Sequence, residues 1–143
     1  MMTLGCIRNN QRPTHREGQT MTTSDSVTPL AIVRHEGETP RERSACGWRD
    51  LLISRQDSGA PVWVHAVDID GAKLHYHKRA TELYYVLDGA GTLHLDGVEH
   101  AMRTGSVALI PPGTVHGATG QMRVLVIGIP DIGDDDYFLA GAE

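Results

Sequence analysis

Three Asp-Gly pairs and one Pro-Pro-Gly run divide the middle of this chain into short apolar segments. The Asp-Gly pairs end at Gly71, Gly89 and Gly97, and the Pro-Pro-Gly run occupies residues 111–113. Asp-Gly is a preferred pair for the tight turn of a β-hairpin, because the backbone there needs a positive φ. The segments between the turns are rich in β-branched and aromatic residues, which favour strands. The pattern therefore predicts an all-β barrel or sandwich.

The candidate strands follow one another with turns every eight to twelve residues. They comprise residues 30–34, 47–54, 61–69, 73–77, 83–87, 92–95, 98–101, 106–110, 115–118 and 123–129. No segment of the core has the pattern of a helix. The 16 glycines and 7 prolines are also more than a helical bundle tolerates.

Length and composition predict one folded domain. A chain of 143 residues with 40% hydrophobic content can build a core of its own. Residues 1–26 are polar and show no period, so we expect a disordered N-terminal tail, followed by the folded domain over residues 27–143. Met21 is a plausible alternative start, which leaves open whether translation begins at Met1 or Met21.

Charge, hydropathy and cysteine usage exclude several classes of protein. A net charge of -5 gives no support for electrostatic nucleic-acid binding. The sequence contains no apolar run of about eighteen residues, so we expect no membrane span. Cys6 and Cys46 do not make a disulfide framework, and a reducing cytoplasm is the expected location.

Three histidines and one glutamate form a candidate metal-binding set. His75 and His77 are two residues apart, so a strand would direct both imidazoles to the same face. Glu82 follows after a short turn, and His116 follows the Pro-Pro-Gly run. Three imidazoles and one carboxylate suit a divalent transition metal and leave coordination positions open.

The residues around these donors resemble the two sequence motifs of the cupin family. The first cupin motif is H-x-H, three or four residues, E, six residues, G. This chain has His75-x-His77, four residues, Glu82, six residues and Gly89. The usual opening glycine of the motif is replaced by Ile69.

The second motif is G, five residues, P-x-G-x-x-H, three residues, N. The chain matches it with Gly105, Pro111, Gly113 and His116, while Gly120 stands where the family has asparagine. Both substituted positions shape turns and do not ligate, so the ligand set is intact.

The resemblance implies a specific fold, ligand set and assembly. The fold would be the cupin double-stranded β-helix, or jelly-roll barrel, with its core motifs within residues 62–129. His75, His77, Glu82 and His116 would bind one divalent ion, which could be Fe(II), Mn, Ni or Zn. Cupins also commonly pair as dimers, so we expect a homodimer with residues 28–60 covering a sheet edge.

Other polar residues are weaker candidates for the site. Tyr84 shares strand parity with Glu82 and could act as a general acid or base, although a packing role is the simpler interpretation. His65 and His94 could line the pocket. Arg79 and Arg123 could bind a substrate carboxylate. The acidic run at residues 134–136 is expected to be a solvated turn.

Three functional hypotheses follow, each with a small organic molecule as the bound partner. The first is a non-haem metal dioxygenase, since the complete His₃Glu set is typical of such cupins and the cupin thiol dioxygenases lack the glutamate. The second is a metal-dependent isomerase, epimerase or lyase that uses Tyr84. The third is a non-catalytic metal- or sugar-binding module.

Overall fold

A computed structural model of the chain describes residues 30–59, 61–131 and 133–141. The described residues form nine strands, one four-residue helix and one 3-10 turn. The elements are β1 (Arg41–Arg43), β2 (Gly47–Ile53), α1 (Arg55–Ser58), β3 (Trp63–Ile69), β4 (His75–Tyr76), β5 (Thr81–Leu95), β6 (Val98–Arg103), β7 (Val107–Ile110), β8 (His116–Ile129), the 3-10 turn (Asp134–Asp136) and β9 (Phe138–Leu139). The all-β prediction is confirmed, and the expected tail over residues 1–26 lies outside the described residues.

A single antiparallel sheet curls into the barrel. Its main path runs β1-β2-β3-β8-β4-β9, and β5 pairs with β6, β7 and β8. The long β5–β8 ladder runs from the pair Thr81–Ile129 to the pair Leu95–His116. This ladder forms the wall from which Glu82 and His116 project.

The turn at Asp96-Gly97 confirms the strongest hairpin prediction. Both residues have positive φ, 47° and 83°, and they connect β5 to β6 with Leu95 opposite Val98. Those are the dihedral signs that a two-residue hairpin turn of this type needs.

The Asp88-Gly89 pair does not end a strand, contrary to the sequence prediction. Residues 83–87 and 92–95 belong to the single strand β5, and the ladder with β8 shifts register between Val86 and Asp88. Gly89 has φ of 80°, and a Cβ there would lie 2.2 Å from the carbonyl oxygen of Gln121. The pair therefore makes a bulge that bends one long strand around the barrel.

Two further sequence predictions about strands need correction. Residues 115–118 and 123–129 also merge, into β8 (His116–Ile129), because β5 is long enough to pair with the whole segment. The strand predicted over residues 30–34 is absent, and the first strand of the described chain is Arg41–Arg43. A short apolar run such as 30–34 forms a strand only where a neighbour offers hydrogen bonds.

The barrel interior is filled by alternate residues of β3, β5 and β8. The buried core comprises Val67, Ile69, Tyr84, Val86, Leu93, Met102, Ile110, Ala118, Met122, Val124 and Val126. One end of this core is polar, and it holds the candidate metal ligands. No helix in the described part of the chain is long and apolar enough to cross a membrane.

An ion-pair network covers the outer face of β2 and β3. Arg123 bonds to Asp50 at 2.8 Å, to Asp68 at 2.6 Å and to Glu36 at 3.0 Å. Arg41 bonds to Asp50 from the opposite side at 2.8 Å. Asp50 is 4% exposed, so its charge is matched by two guanidinium groups. The network therefore attaches the segment before β2 to the barrel.

Candidate metal centre

Four side chains from three parts of the sheet converge at one end of the barrel. His75 lies on β4 directly opposite His116 on β8, and Glu82 is the second residue of β5. His77 follows β4 immediately. The ligating atoms of His75, His77, Glu82 and His116 all lie within 4.8 Å of one another. The predicted set is therefore brought together by the fold.

Backbone carbonyls orient all three imidazoles in the same way. The Nδ1 atoms of His75 and His116 lie 2.8 Å from the carbonyl oxygen of Lys73 and 2.9 Å from that of Thr114. The Nδ1 atom of His77 lies 2.6 Å from the carbonyl oxygen of Asp136. A carbonyl only accepts, so each Nδ1 carries the proton and donates it. Each Nε2 therefore presents a lone pair to the shared space, as a metal ligand must.

The carboxylate of Glu82 faces two of these Nε2 atoms. Its oxygens lie 2.9 Å from Nε2 of His116 and 3.4 Å from Nε2 of His77. Both Nδ1 atoms are already donors, so two acceptors face each other unless a proton or a cation lies between them. The Nε2 atom of His77 is buried and has no hydrogen-bond partner among the described residues. A divalent cation would satisfy all of these atoms at once.

The electrostatics of the buried cluster also favour a cation. Burial opposes ionisation of Glu82, but its contacts with His116 and His77 outweigh burial and set the pKa at about 2. Burial and the neighbouring His116 lower the pKa of His75 to about 4, so it is a neutral ligand. Burial would also lower the pKa of His77, yet the contact with Glu82 raises it. The carboxylate therefore attracts positive charge into the site, next to the neutral imidazole of His75.

A pocket of about 640 Å³ leads from the surface to the cluster. His75, His77 and Glu82 form part of its lining, and Arg49, His65 and others form the walls. The volume is in the range of small-molecule sites. A metal in the cluster would therefore be accessible to a small organic molecule.

Comparisons with known proteins agree with this architecture. A family model described as the cupin domain matches residues 66–128, which include all four clustered ligands. The chain contains a cupin domain.

Several solved structures share this cupin fold. A protein from Planctomyces limnophilus is 27% identical with a TM-score of 0.71, over 77% of this chain and 97% of that one. The nucleoside dehydratase Pac13 of Streptomyces is 17% identical with a TM-score of 0.67, over 78% of this chain and 95% of that one. The polyketide cyclase RemF of Streptomyces resistomycificus is 18% identical with a TM-score of 0.67, over 80% and 88%.

A curated relative matches a shorter stretch. It is an uncharacterised protein of Methanocaldococcus jannaschii, 40% identical over 43 residues, which are 30% of this chain and 34% of the relative. The alignment thus spans about a third of the relative's length. Likeness to the nucleoside dehydratase and the cyclase is a likeness of fold.

Tyr84 faces the interior of this cupin, as its parity with Glu82 predicts. The residue is 3% exposed, and its ring meets the ring of His116 edge-on at 6.2 Å between centroids. Burial and the negative charge of Glu82 raise the pKa of Tyr84 well above its ordinary value. The phenol is therefore neutral.

Of the two additional histidines considered, only His65 lines the pocket. Its ring lies 4.6 Å from that of Trp63, and burial lowers its pKa to about 4. His94 lies elsewhere, with Nδ1 3.7 Å from the carboxylate of Glu99. Strand parity could not show that His94 faces away from the pocket, because the register of β5 shifts between Val86 and Asp88, ahead of His94.

Neither arginine considered for substrate binding lines this pocket. Arg123 belongs to the network on the outer face, and Arg79 is exposed with Nε 3.7 Å from the carboxylate of Asp136. The arginine that does line the pocket is Arg49, which bonds to Glu42 across the β1–β2 pair.

Asp136 corrects the prediction of a solvated acidic turn. Its side chain is 2% exposed, and its carboxylate accepts hydrogen bonds from the backbone N–H groups of Lys78, Arg79 and Ala80 at 2.9–3.0 Å. Burial opposes its ionisation, but these three donors outweigh burial and lower its pKa. Its own carbonyl also holds His77. Asp136 therefore shapes the loop between two candidate metal ligands, His77 and Glu82.

The C-terminal segment that carries Asp136 also brings an unexpected aromatic residue to the site. Tyr137 stacks on His75 with ring centroids 4.5 Å apart and meets His77 edge-on at 6.1 Å. Burial raises the pKa of Tyr137, and the negative charge of Glu82 adds to the effect. Sequence reasoning missed this residue because it lies 55 positions after Glu82, outside both motifs.

Proposed function

We propose that this cupin is a mononuclear metal-dependent enzyme that acts on a small organic molecule. One observation carries the proposal. Three imidazoles, each oriented by a backbone carbonyl, and one ionised carboxylate converge at the inner end of an open pocket. Four protein ligands would leave about two positions of a six-coordinate ion for substrate, water or oxygen.

A bound ion and the protein would contribute different parts of the chemistry. A bound divalent ion would supply Lewis acidity, and a redox-active one would also supply electron transfer. The protein orients the ligands through the carbonyls of Lys73, Thr114 and Asp136. His65 and the tyrosines provide neutral hydrogen-bonding groups along the wall.

Two reaction classes fit this arrangement. A non-haem dioxygenase is the first candidate, because the His₃Glu set leaves room for both substrate and O₂ beside an Fe(II) ion. A lyase or isomerase is the second, and the buried phenol of Tyr84 beside Glu82 favours it as a group able to hold or donate a proton. A nucleoside dehydratase and a polyketide cyclase are among the proteins that share this fold, which supports considering a lyase as well as an oxygenase.

Metal analysis combined with turnover under two atmospheres tests the proposal. Protein purified without chelator is analysed for Fe, Mn, Ni and Zn, and then incubated with mixtures of small hydroxy acids, sugar acids and phenols. Products that form only in air, with uptake of O₂, identify a dioxygenase. Products that form equally under nitrogen identify a lyase or isomerase. Stoichiometric metal without turnover of any compound supports a binding module instead.

We also propose that the protein forms a homodimer through the outer face of β5, β7 and β8. This apolar outer face consists of Leu83, Tyr85, Leu87, Val107, Leu109, Leu125, Ile127 and Ile129. Val107 and Leu109 are 67% and 61% exposed. The other half of the same outer surface is covered by the ion pairs of Arg41 and Arg123.

A second copy of the chain is the occupant that this face fits. The apolar outer face carries no charged side chain that would select a different partner, and two identical sheet faces can pack on each other about a two-fold axis. Contiguous exposed apolar patches of this kind are typical of interaction sites. The proposal places the interface on the sheet surface, whereas the sequence suggested a sheet edge.

Introducing a charged residue into the apolar outer face should therefore dissociate the dimer. We expect Val107→Asp and Leu109→Asp to convert a dimer into a monomer, because a buried unpaired carboxylate is costly. The control is Val98→Asp, at an exposed position in the β5–β6 hairpin outside this face. Light scattering after size exclusion measures the mass. A monomeric unmodified protein at micromolar concentration contradicts the proposal.

A further inference from the structure

Tyr137 is held firmly against the candidate metal ligands. Its ring stacks on His75, and residues on both sides of it are anchored. Asp136 before it clamps the loop at residues 78–80, while Phe138 and Leu139 after it pair with β4. The position of the ring is therefore fixed by the backbone as well as by stacking.

The hydroxyl of Tyr137 is buried and has no hydrogen-bond partner among the described residues. The same holds for Nε2 of His77, whose ring meets the ring of Tyr137 edge-on. Buried polar atoms are almost always paired, because an unpaired one loses its bonds to water and gains nothing in return. A metal would satisfy Nε2 of His77, so the Tyr137 hydroxyl is the atom left for a molecule bound beside that metal.

Tyr84 differs from Tyr137 in this respect. Its hydroxyl is not among the buried atoms without a hydrogen-bond partner, and the negative charge of Glu82 raises its pKa. The Tyr137 hydroxyl has no hydrogen-bond partner among the described residues, so it is available to a bound molecule.

We propose that the Tyr137 hydroxyl donates a hydrogen bond to an anionic oxygen of the molecule bound at the metal, such as a carboxylate, an enolate or a deprotonated hydroxyl. The inference rests on the proposed metal-dependent function and adds a substrate contact from Tyr137 to the acid or base candidate Tyr84. Tyr137 is thus a substrate-binding residue contributed by the C-terminal segment, which lies outside the matched cupin region at residues 66–128.

Thermal unfolding of metal-free variants provides the first test. Tyr137→Phe should leave Tm unchanged or slightly higher, because it removes a hydroxyl without a partner and keeps the stacked ring. Tyr84→Phe should lower Tm, because it removes a buried hydroxyl that is not among the unpaired atoms. Tyr76→Phe is the matched control, since Tyr76 stacks on Phe138 on the same segment outside the pocket. A loss of Tm in Tyr137→Phe as large as that in Tyr84→Phe overturns the inference.

Anion binding to the Co(II)-loaded protein provides the second test, with azide as the probe. The d–d absorption of Co(II) reports both metal uptake and azide binding. We expect Tyr137→Phe to weaken azide binding about tenfold, the usual loss for a hydrogen bond to a charged acceptor. Tyr76→Phe should bind azide like the unmodified protein.

The outcomes of this test separate the two proposals. If the unmodified protein takes up no Co(II), the proposed function fails, and the inference fails with it. If Co(II) binds but azide affinity is the same with and without the Tyr137 hydroxyl, only the inference fails. It also fails if azide leaves the spectrum of the unmodified Co(II) protein unchanged.

Discussion

Replacing His77 by alanine should abolish stoichiometric metal binding and leave the barrel folded. His77 supplies a buried Nε2 that has no hydrogen-bond partner among the described residues, and it is the least buried of the four clustered side chains, at 13% exposed. Its loss removes one of four ligands and leaves the charge of Glu82 less well matched. Since losing even a supporting residue costs about 10- to 100-fold in metal affinity, the loss of a ligand should cost at least about 100-fold.

Equilibrium dialysis against Zn²⁺ and Fe²⁺, followed by elemental analysis, measures this effect. The control is His94→Ala, which removes an imidazole paired with Glu99 away from the pocket. Circular dichroism checks that both variants keep their strands. One tightly bound ion per chain in folded His77→Ala would refute the His₃Glu assignment.

Replacing Asp136 by alanine should lower both stability and metal affinity. The change leaves the N–H groups of Lys78, Arg79 and Ala80 without their carboxylate, in a buried part of the structure. Hydrogen bonds to a charged acceptor contribute about 1.5–3 kcal/mol each, and they are not additive, so we expect a loss of about 3 kcal/mol or more. The loop that carries His77 would also relax, which should weaken metal binding about tenfold or more.

Urea unfolding of the metal-free protein measures the stability change, and competition with a chelator measures the metal affinity. Asp135→Ala is a closely matched control, since it removes a neighbouring carboxylate that is exposed. Asp136→Asn should be intermediate, because its amide keeps one acceptor oxygen but places an NH₂ group against the backbone donors. Equal stability of Asp136→Ala and Asp135→Ala would show that the hydrogen bonds to the Asp136 carboxylate do not stabilise the fold. If Asp136→Ala loses stability but keeps its metal affinity, these bonds stabilise the fold without positioning the metal-binding residues.

Local patterns predicted the parts of the site that depend on local geometry. His75 and His77 share a face because strand side chains alternate, and the turn at Asp96-Gly97 forms because both positions adopt positive φ. The same reasoning failed at Asp88-Gly89, where only the glycine has positive φ and the register shifts just before the pair. There β5 continues, because β8 is long enough to pair with it on both sides of the shift.

The amino-acid sequence by itself determined the candidate ligand set, the all-β class and the inward direction of Tyr84, because these follow from strand alternation and from motifs with short spacing. The tertiary structure alone decided the roles of Asp136 and Tyr137. Both lie more than fifty residues beyond Glu82, and they reach the site only because β9 pairs with β4. Such long-range pairing depends on the free energy of the whole sheet, which local residue preferences do not encode. The contact that orients His77 and the burial of the Tyr137 hydroxyl therefore arise only in the folded barrel.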